Sequence, residues 1–236
     1  MPTNWSLTQS KAQIGAGTLA FDSNVAAGSF LAVALEVDGA TNPTIPAPTD
    51  SRGTVYSALR PAFLTTNQQK LSLWGGVAPT SGANTVSTFD TGSFDAVVIA
   101  EFAYALGLGG GFTIDDNDDN YLDPIPTGAN GCAGDAMTPV KDDELVLMMV
   151  GTDNGGAMTF GNGSTMVIAA QTVLSGAGGD WCVLAYGTVL GVPGSFTPTL
   201  TGTGGTGTSG AILEALVSAV AEGQSFYTSR RRRVGR

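Results

Sequence analysis

The stretch from Asp95 to Tyr104 reads D-A-V-V-I-A-E-F-A-Y, and the fold class follows from it. Val97, Val98 and Ile99 are β-branched, and Phe102 and Tyr104 are aromatic. These types favour a pleated surface over a helix. From Phe94 to Phe102 a strand would run about 30 Å at roughly 3.3 Å per residue, enough to cross a sheet. The run is too apolar for a solvated edge, so it reads as a central strand around which the other apolar segments pack. Glu101 is the one charge inside it. In such a strand it points outward to solvent or takes a partner, with Arg52 and Arg60 as the candidates.

Working outward, the flanking segments repeat the theme. Ser29–Val37, Thr54–Ala62, Lys70–Val77, Asn84–Phe89, Glu144–Val150, Thr165–Thr172 and Trp181–Leu190 all carry strand-forming residues between turn signals. Shorter strands are expected near Thr18–Phe21, Met158 and Phe196–Leu200. Gly210–Val220 would permit a helix of about three turns. It reads as a strand because glycines bound it and the preceding pattern is all β. Gly107–Gly134 is a long irregular region. No βαβ crossover and no exact internal repeat is evident. The expected fold is all-β: an antiparallel two-sheet β-sandwich, jelly-roll-like. It divides into a polar lead-in at 1–14 anchored by Trp5 and Leu7, one sandwich domain at 15–221, and a basic tail at 222–236.

Composition bounds the chemistry. The chain has 236 residues with 34 glycines, ten Lys and Arg, twenty Asp and Glu, and a net charge of −10. Only Lys11, Arg52, Arg60, Lys70 and Lys141 are basic before Arg230, whereas every carboxylate lies before it. An acidic body repels nucleic acid. With no histidine, no Ser-His or Cys-His nucleophile pair can form, and imidazole-ligated zinc is excluded. A carboxylate pair of the glycosidase type remains as the enzyme alternative, with Glu36, Glu101 and the loop aspartates as candidates by default. The expectation is a non-enzymatic protein. Neither a secretory signal nor a span of about 20 apolar residues is visible, which reads as a protein that enters no membrane by itself.

Four features are candidate sites. In the acidic loop at 115–123, Asp116, Asp118 and Asn120 have the alternate spacing that opens a Ca²⁺ loop, and Asp123 could add an oxygen. The pattern then departs, with Tyr121 where glycine is needed and Thr127 where glutamate is needed. The alternatives are a solvated acidic loop or one that receives a basic tail. Trp74, ending a strand beside Gly75 and Gly76, is the best of three tryptophans (with Trp5 and Trp181) for stacking a sugar; a core tryptophan is the alternative. Cys132 and Cys182 form a disulfide or stay as two thiols. In the tail, Phe226 and Tyr227 precede Arg230, Arg231, Arg232, Arg233 and Arg236. Four adjacent guanidinium groups need carboxylate or phosphate partners if buried. The tail reads as an arm reaching a neighbouring subunit, a disordered tail, or a nucleic-acid contact. G-T-G-G-T-G at 202–207 matches a dinucleotide fingerprint only in letters, because no helix is expected to follow.

A resemblance rests on G-S-F-L-A-V-A-L-E-V at 28–37, T-V-Y at 54–56, L-W-G-G-V at 73–77, G-A-N-T-V-S-T-F at 82–89 and A-V-V-I-A-E-F-A at 96–103. It continues through K-D-D-E-L-V-L at 141–147 and Y-G-T-V-L-G-V-P-G-S-F-T-P-T-L at 186–200. The chain, from about Gly15 to Ala221, resembles a loosely defined group of β-sandwich modules of bacterial extracellular proteins and tailed-phage virion proteins. The resemblance implies adhesion, surface decoration or sugar binding. The leading expectation is a structural or decoration protein of a phage particle, located in the virion. Its partners would be copies of itself or other virion structural proteins. The alternative is a carbohydrate-binding or adhesive module that takes a surface glycan. Ca²⁺ is the one candidate cofactor.

Overall fold

Within the stretch, Ala96–Tyr104 does form an interior strand, but of one sheet among the four that the described residues make. The computed structural model describes residues 3–15, 17–38, 42–65, 69–88, 95–109, 111–115, 121–122, 132–139, 141, 143–153, 159–172, 181–189, 196–203 and 209–220. The first eight strands are β1 (Trp5–Ile14), β2 (Thr18–Ala20), β3 (Phe30–Asp38), β4 (Thr49–Asp50), β5 (Ser57–Leu64), β6 (Gln69–Val77), β7 (Thr85–Ser87) and β8 (Ala96–Tyr104). Then follow β9 (Phe112–Asp115), β10 (Tyr121–Leu122), β11 (Cys132–Ala133), β12 (Glu144–Asp153), β13 (Thr159–Gly161), β14 (Val167–Gln171), β15 (Trp181–Val189), β16 (Thr199–Thr203) and β17 (Ser209–Ala219). Every pairing among them is antiparallel. The ambiguous final segment is a strand. The segment read as a lead-in is also a strand, β1, paired with β8 along its length apart from one bulge near Gln9. Its polar residues suit its position, because β1 is the edge of its sheet.

One large sheet has the order β1-β8-β3-β6-β5, and the other has β10-β17-β12-β15-β14 with β9 also on β17. The small sheets are β2-β7-β4 and β11-β16-β13. Raising each label of the first pair of sheets by nine gives the second pair. The chain is therefore a topological duplication, with the first eight strands as one half and β9–β17 as the other. Each half has the jelly-roll order, in which strands one, eight, three and six form one sheet and two, seven and four lie across it.

Period-2 alternation explains the layers. Ala32, Ala34, Val98, Ala100 and Phe102 face inward, and they meet Leu145, Leu147, Met149, Leu184 and Val217 of the second large sheet. Ala32, Ala34 and Ala100 on β3 and β8 lie against β15, which brings Leu184 and Tyr186, and β6 lies against β12, so the two sheets interdigitate. The outward residues Leu31, Val33, Leu35, Val97 and Ile99 are covered by Leu19 of β2 and Val86 of β7. Val146, Met148, Val150 and Ile212 are covered likewise by Cys132, Phe160 and Leu200 of β11, β13 and β16. Four layers result: small sheet, large sheet, large sheet, small sheet.

Register lets the halves be compared residue by residue. Phe30 opposes Phe102 as Leu145 opposes Val217, and Phe30 opposes Val77 as Leu145 opposes Thr188. Gly76 is thus equivalent to Gly187. A Cβ on Gly76 would lie 2.8 Å from the Val55 carbonyl oxygen, and one on Gly187 would lie 2.7 Å from that of Thr165. Val55 and Thr165 are themselves equivalent, since each stands two residues before the residue that opposes Gly75 or Tyr186. Two residues before Phe30 and Leu145 stand Gly28 at φ 83° and Asp143 at φ 63°. Both halves need a left-handed residue there, and glycine and aspartate are among the types that tolerate it.

Candidate functional site

The two halves are tied at their seam by polar contacts. Asp143 is the densest of these. Its Oδ1 accepts from the Thr3 hydroxyl and the Asn4 backbone N–H, both at 3.1 Å, and its Oδ2 accepts from the Asn4 side-chain amide. Its carbonyl accepts the Trp5 indole N–H at 2.9 Å. Partial burial, then the charge of Asp143 and a hydrogen bond to it, push the Tyr104 phenol up. Trp5 is buried, as its anchoring role requires. Elsewhere along the seam the Arg60 guanidinium donates to the Glu214 carbonyl, and the Ser10 hydroxyl donates to that of Ala169 at 2.6 Å.

Two of the carboxylates inside the strands, Glu101 and Glu214, accept backbone N–H groups from loops. Glu101 is fully buried, so it is not an outward-facing residue. Its partners are the Gln9 side-chain amide at 2.6 Å and the Ala26 backbone N–H at 2.8 Å, not an arginine. It faces away from the inter-sheet core, under a loop that closes over the outer layer. Glu36 is also fully buried, at the inner end of β3. Its carboxyl carbon and the Leu71 side chain lie where a Cβ on Gly151 would project. Glu214 accepts the Asp135 backbone N–H at 3.0 Å, and a side chain on Gly134 would overlap its carboxylate. Glu36 and Glu101 point to opposite faces of the first large sheet and do not form a facing pair.

Asp50 organises the turn into β5. Oδ1 accepts the Arg52 and Thr54 backbone N–H groups at 3.0 and 2.9 Å, and Oδ2 accepts the Tyr56 hydroxyl and the Asn84 amide, each at 2.9 Å. Burial alone would raise its carboxyl, but the donors from Thr54, Asn84 and Tyr56 together bring it below the usual range. The same contact, added to burial, holds Tyr56 far above an ordinary phenol.

Cys132 and Cys182 are both buried free thiols in different layers, the first under the outer small sheet and the second between the large sheets. They are not joined. Burial, then the charge of Glu214, pushes the Cys132 thiol up to about 12. Burial, then the charge of Glu36, raises Cys182 well above its ordinary value. Trp74 is half-buried, opposite Val33 and Ala58, and leans on the outer apolar cluster. Its indole N–H meets no acceptor among the described residues. Trp181 opens β15, and only its backbone is described. Asp116, Asp118, Asn120 and Asp123 lie outside the described residues, as do Phe226, Tyr227, Arg230, Arg231, Arg232, Arg233 and Arg236. Among the described residues no group of three or more His, Cys, Asp and Glu side chains converges as a metal site does, and no helix is long and apolar enough to cross a membrane.

What sequence reasoning missed is a cleft at the seam, of about 460 Å³. Its walls come from the segment before β5 and from the end of β6 and the turn after it in the first half (Val55, Val77, Pro79), and from Gly111 and β9 in the second (Phe112, Ile114). Val55 is 82% exposed, the most exposed large apolar side chain described. Phe112 packs edge-on to Phe30, with centroids 5.0 Å apart. The walls lie far apart in sequence, so no local motif announces them. No family model, curated protein or solved structure compared with this chain gave a match.

Proposed function

We propose that this chain is a non-enzymatic structural or decoration protein of a phage-type particle, assembling through subunit–subunit contacts made by its basic arm. The observation that carries the reading is the segregation of charge. All twenty carboxylates precede Arg230, and half of the ten cations lie in the seven residues from Arg230 to Arg236. Such an arm complements the body of a neighbouring copy, and arginine forks hold carboxylates in a fixed geometry. The duplicated jelly roll supports the reading by analogy, because capsid proteins and lectins use that architecture. The virion assignment also leans on the sequence resemblance. The carbohydrate-binding alternative rests on Trp74, whose half-buried position is closer to that of a packing residue than of an open platform.

The test is native mass. The full chain and a form ending at Ser225 are compared, each with calcium and with chelator. Assembly through the arm gives an oligomer that falls to monomer on truncation. Sensitivity to chelator would add the acidic loop to the contact. A full chain that stays monomeric at tens of micromolar would refute self-assembly.

A further inference from the structure

The seam cleft and the end of β17 coincide. Ala219 of β17 opposes Phe112, and the Val220 N–H donates to the Gly111 carbonyl at 3.1 Å. Gly111 and Phe112 are themselves cleft walls. The sequence that follows is A-E-G-Q-S-F-Y, which brings two aromatic residues six and seven positions beyond Val220. Extended, six residues reach about 20 Å. About 460 Å³ is within the roughly 300–1,000 Å³ range of sites that enclose compact apolar groups.

Charge points the same way. Four arginines follow the aromatic pair after two residues, and the body they would lie against carries every carboxylate of the chain except Glu222. On the receiving side, the sequence after Ile114 begins with Asp115 and Asp116. An apolar wall followed by acidic residues complements an aromatic pair followed by basic ones.

We propose that the cleft bounded by Val55, Val77, Pro79, Phe112 and Ile114 is the seat for the aromatic pair Phe226–Tyr227 of a second copy of this chain, the two copies exchanging arms reciprocally. The proposal rests on the assembly reading above and gives it a receptor. Strand direction selects the second copy. β17 passes Asp115 first and Phe112 last, so the strand ends heading away from the acidic side. Its own arm would have to reverse within residues 221–225 to lay aromatic and basic residues along β9 in the matching order. A neighbour's arm enters without that reversal. One cleft and one arm per copy let two copies fill each other's clefts, and reciprocal exchange of this kind is closed and two-fold.

The test uses full-length chains carrying Val55→Cys or Phe226→Cys, mixed under mild oxidation. Cys132 and Cys182 are 4% and 0% exposed and do not compete. Val55 is a surface residue, so its replacement leaves the core intact. The expected product is a covalent dimer linking V55C of one chain to F226C of the other, at least tenfold above the dimers either variant forms alone. Val55→Glu should weaken association at least tenfold. A V55C/F226C double variant that closes within one chain would overturn the proposal in favour of the chain's own arm. Oligomers that persist by native mass with no V55C–F226C link would overturn the cleft as the seat and leave assembly by the arm standing. A full-length chain that is monomeric with no link would overturn both.

Discussion

If the halves are equivalent at Gly76 and Gly187, the same substitution should cost about the same at both. A methyl group on Gly76 would lie 2.8 Å from the Val55 carbonyl oxygen and 2.6 Å from the Thr54 methyl; on Gly187 it would lie 2.7 Å from the Thr165 carbonyl oxygen and 2.9 Å from the Met166 sulfur. Neither position has a positive φ, so the cost is overlap and not backbone strain. In both cases one contact is backbone, which cannot rotate away as a side-chain tip can. Overpacking of this kind costs about 1–3 kcal/mol. For a chain of this size each kcal/mol lowers Tm by about 2–4 °C, so Gly76→Ala and Gly187→Ala should each melt roughly 2–12 °C below the parent. The sites lie in different halves with no shared neighbour, so the double variant should lose close to the sum. Calorimetry with a matched denaturant series measures this. If either variant melts within a degree of the parent, or the double variant loses much less than the sum, the equivalence of the close approaches is refuted.

Glu101→Gln should destabilise by about 1–3 kcal/mol in chemical denaturation, because both carboxylate oxygens accept from donors and an amide brings a second donor. Gln9 cannot turn to compensate without breaking its carbonyl contact with Ser23. Asp143→Ala should cost about 2–4 kcal/mol, since it strips acceptors from Thr3 and Asn4 and leaves alanine at φ 63°. In the same variant the Tyr104 phenol should titrate closer to its ordinary value, read by ultraviolet absorbance. Stability should also fall on the alkaline side. Tyr56, Tyr104, Cys132 and Cys182 have raised folded values, so their contribution is intact below the unfolded values of about 9 and 10 and is lost as pH rises through the folded ones. Asp50, lowered in the fold, acts oppositely: its contribution is intact above the unfolded carboxylate value and is lost as pH falls through the folded one. Denaturant midpoints from pH 3 to 11 check both limbs.

Much of the fold was legible because its interior strands are aliphatic runs. β3, β6, β8, β12, β15 and β17 each bury both faces, which produces the continuous apolar pattern that reads as strand. β1 escaped because Gln9, Lys11 and Gln13 suit an edge and break the pattern. β4, β9, β10 and β11 have two to four residues, too few to show a period. The duplication escaped for a packing reason. Across the shared layer one half contributes Ala32 and Ala34 where the other contributes Leu147 and Met149. Volume is traded between equivalent positions, so the frame is kept while identity is lost. The cleft escaped because its walls meet only after both halves are in place.

The equivalent positions that differ in chemistry show what the frame holds fixed. On the outer face of the eighth strand of each half, Val97, Ile99 and Glu101 correspond to Ile212, Glu214 and Leu216. Each half buries one glutamate there, on neighbouring rungs of the same face. Each glutamate accepts a backbone N–H from the loop that leads into the third strand: Ala26 for Glu101, Asp135 for Glu214. Both loops also close by an isolated bridge, Val25 to Gly82 in one half and Met137 to Phe196 in the other. A buried carboxylate is costly unless its oxygens are occupied, so retaining one in each half under a shifted register implies that the loop needs an anchor from beneath. The outer layers here are built of strands of two to five residues and have few ladder bonds of their own, and the glutamate supplies what the ladder lacks. On this account Glu101 and Glu214 are anchors of the scaffold. What the frame leaves open to contact includes the exposed cleft wall at the seam, where Val55 stands 82% exposed.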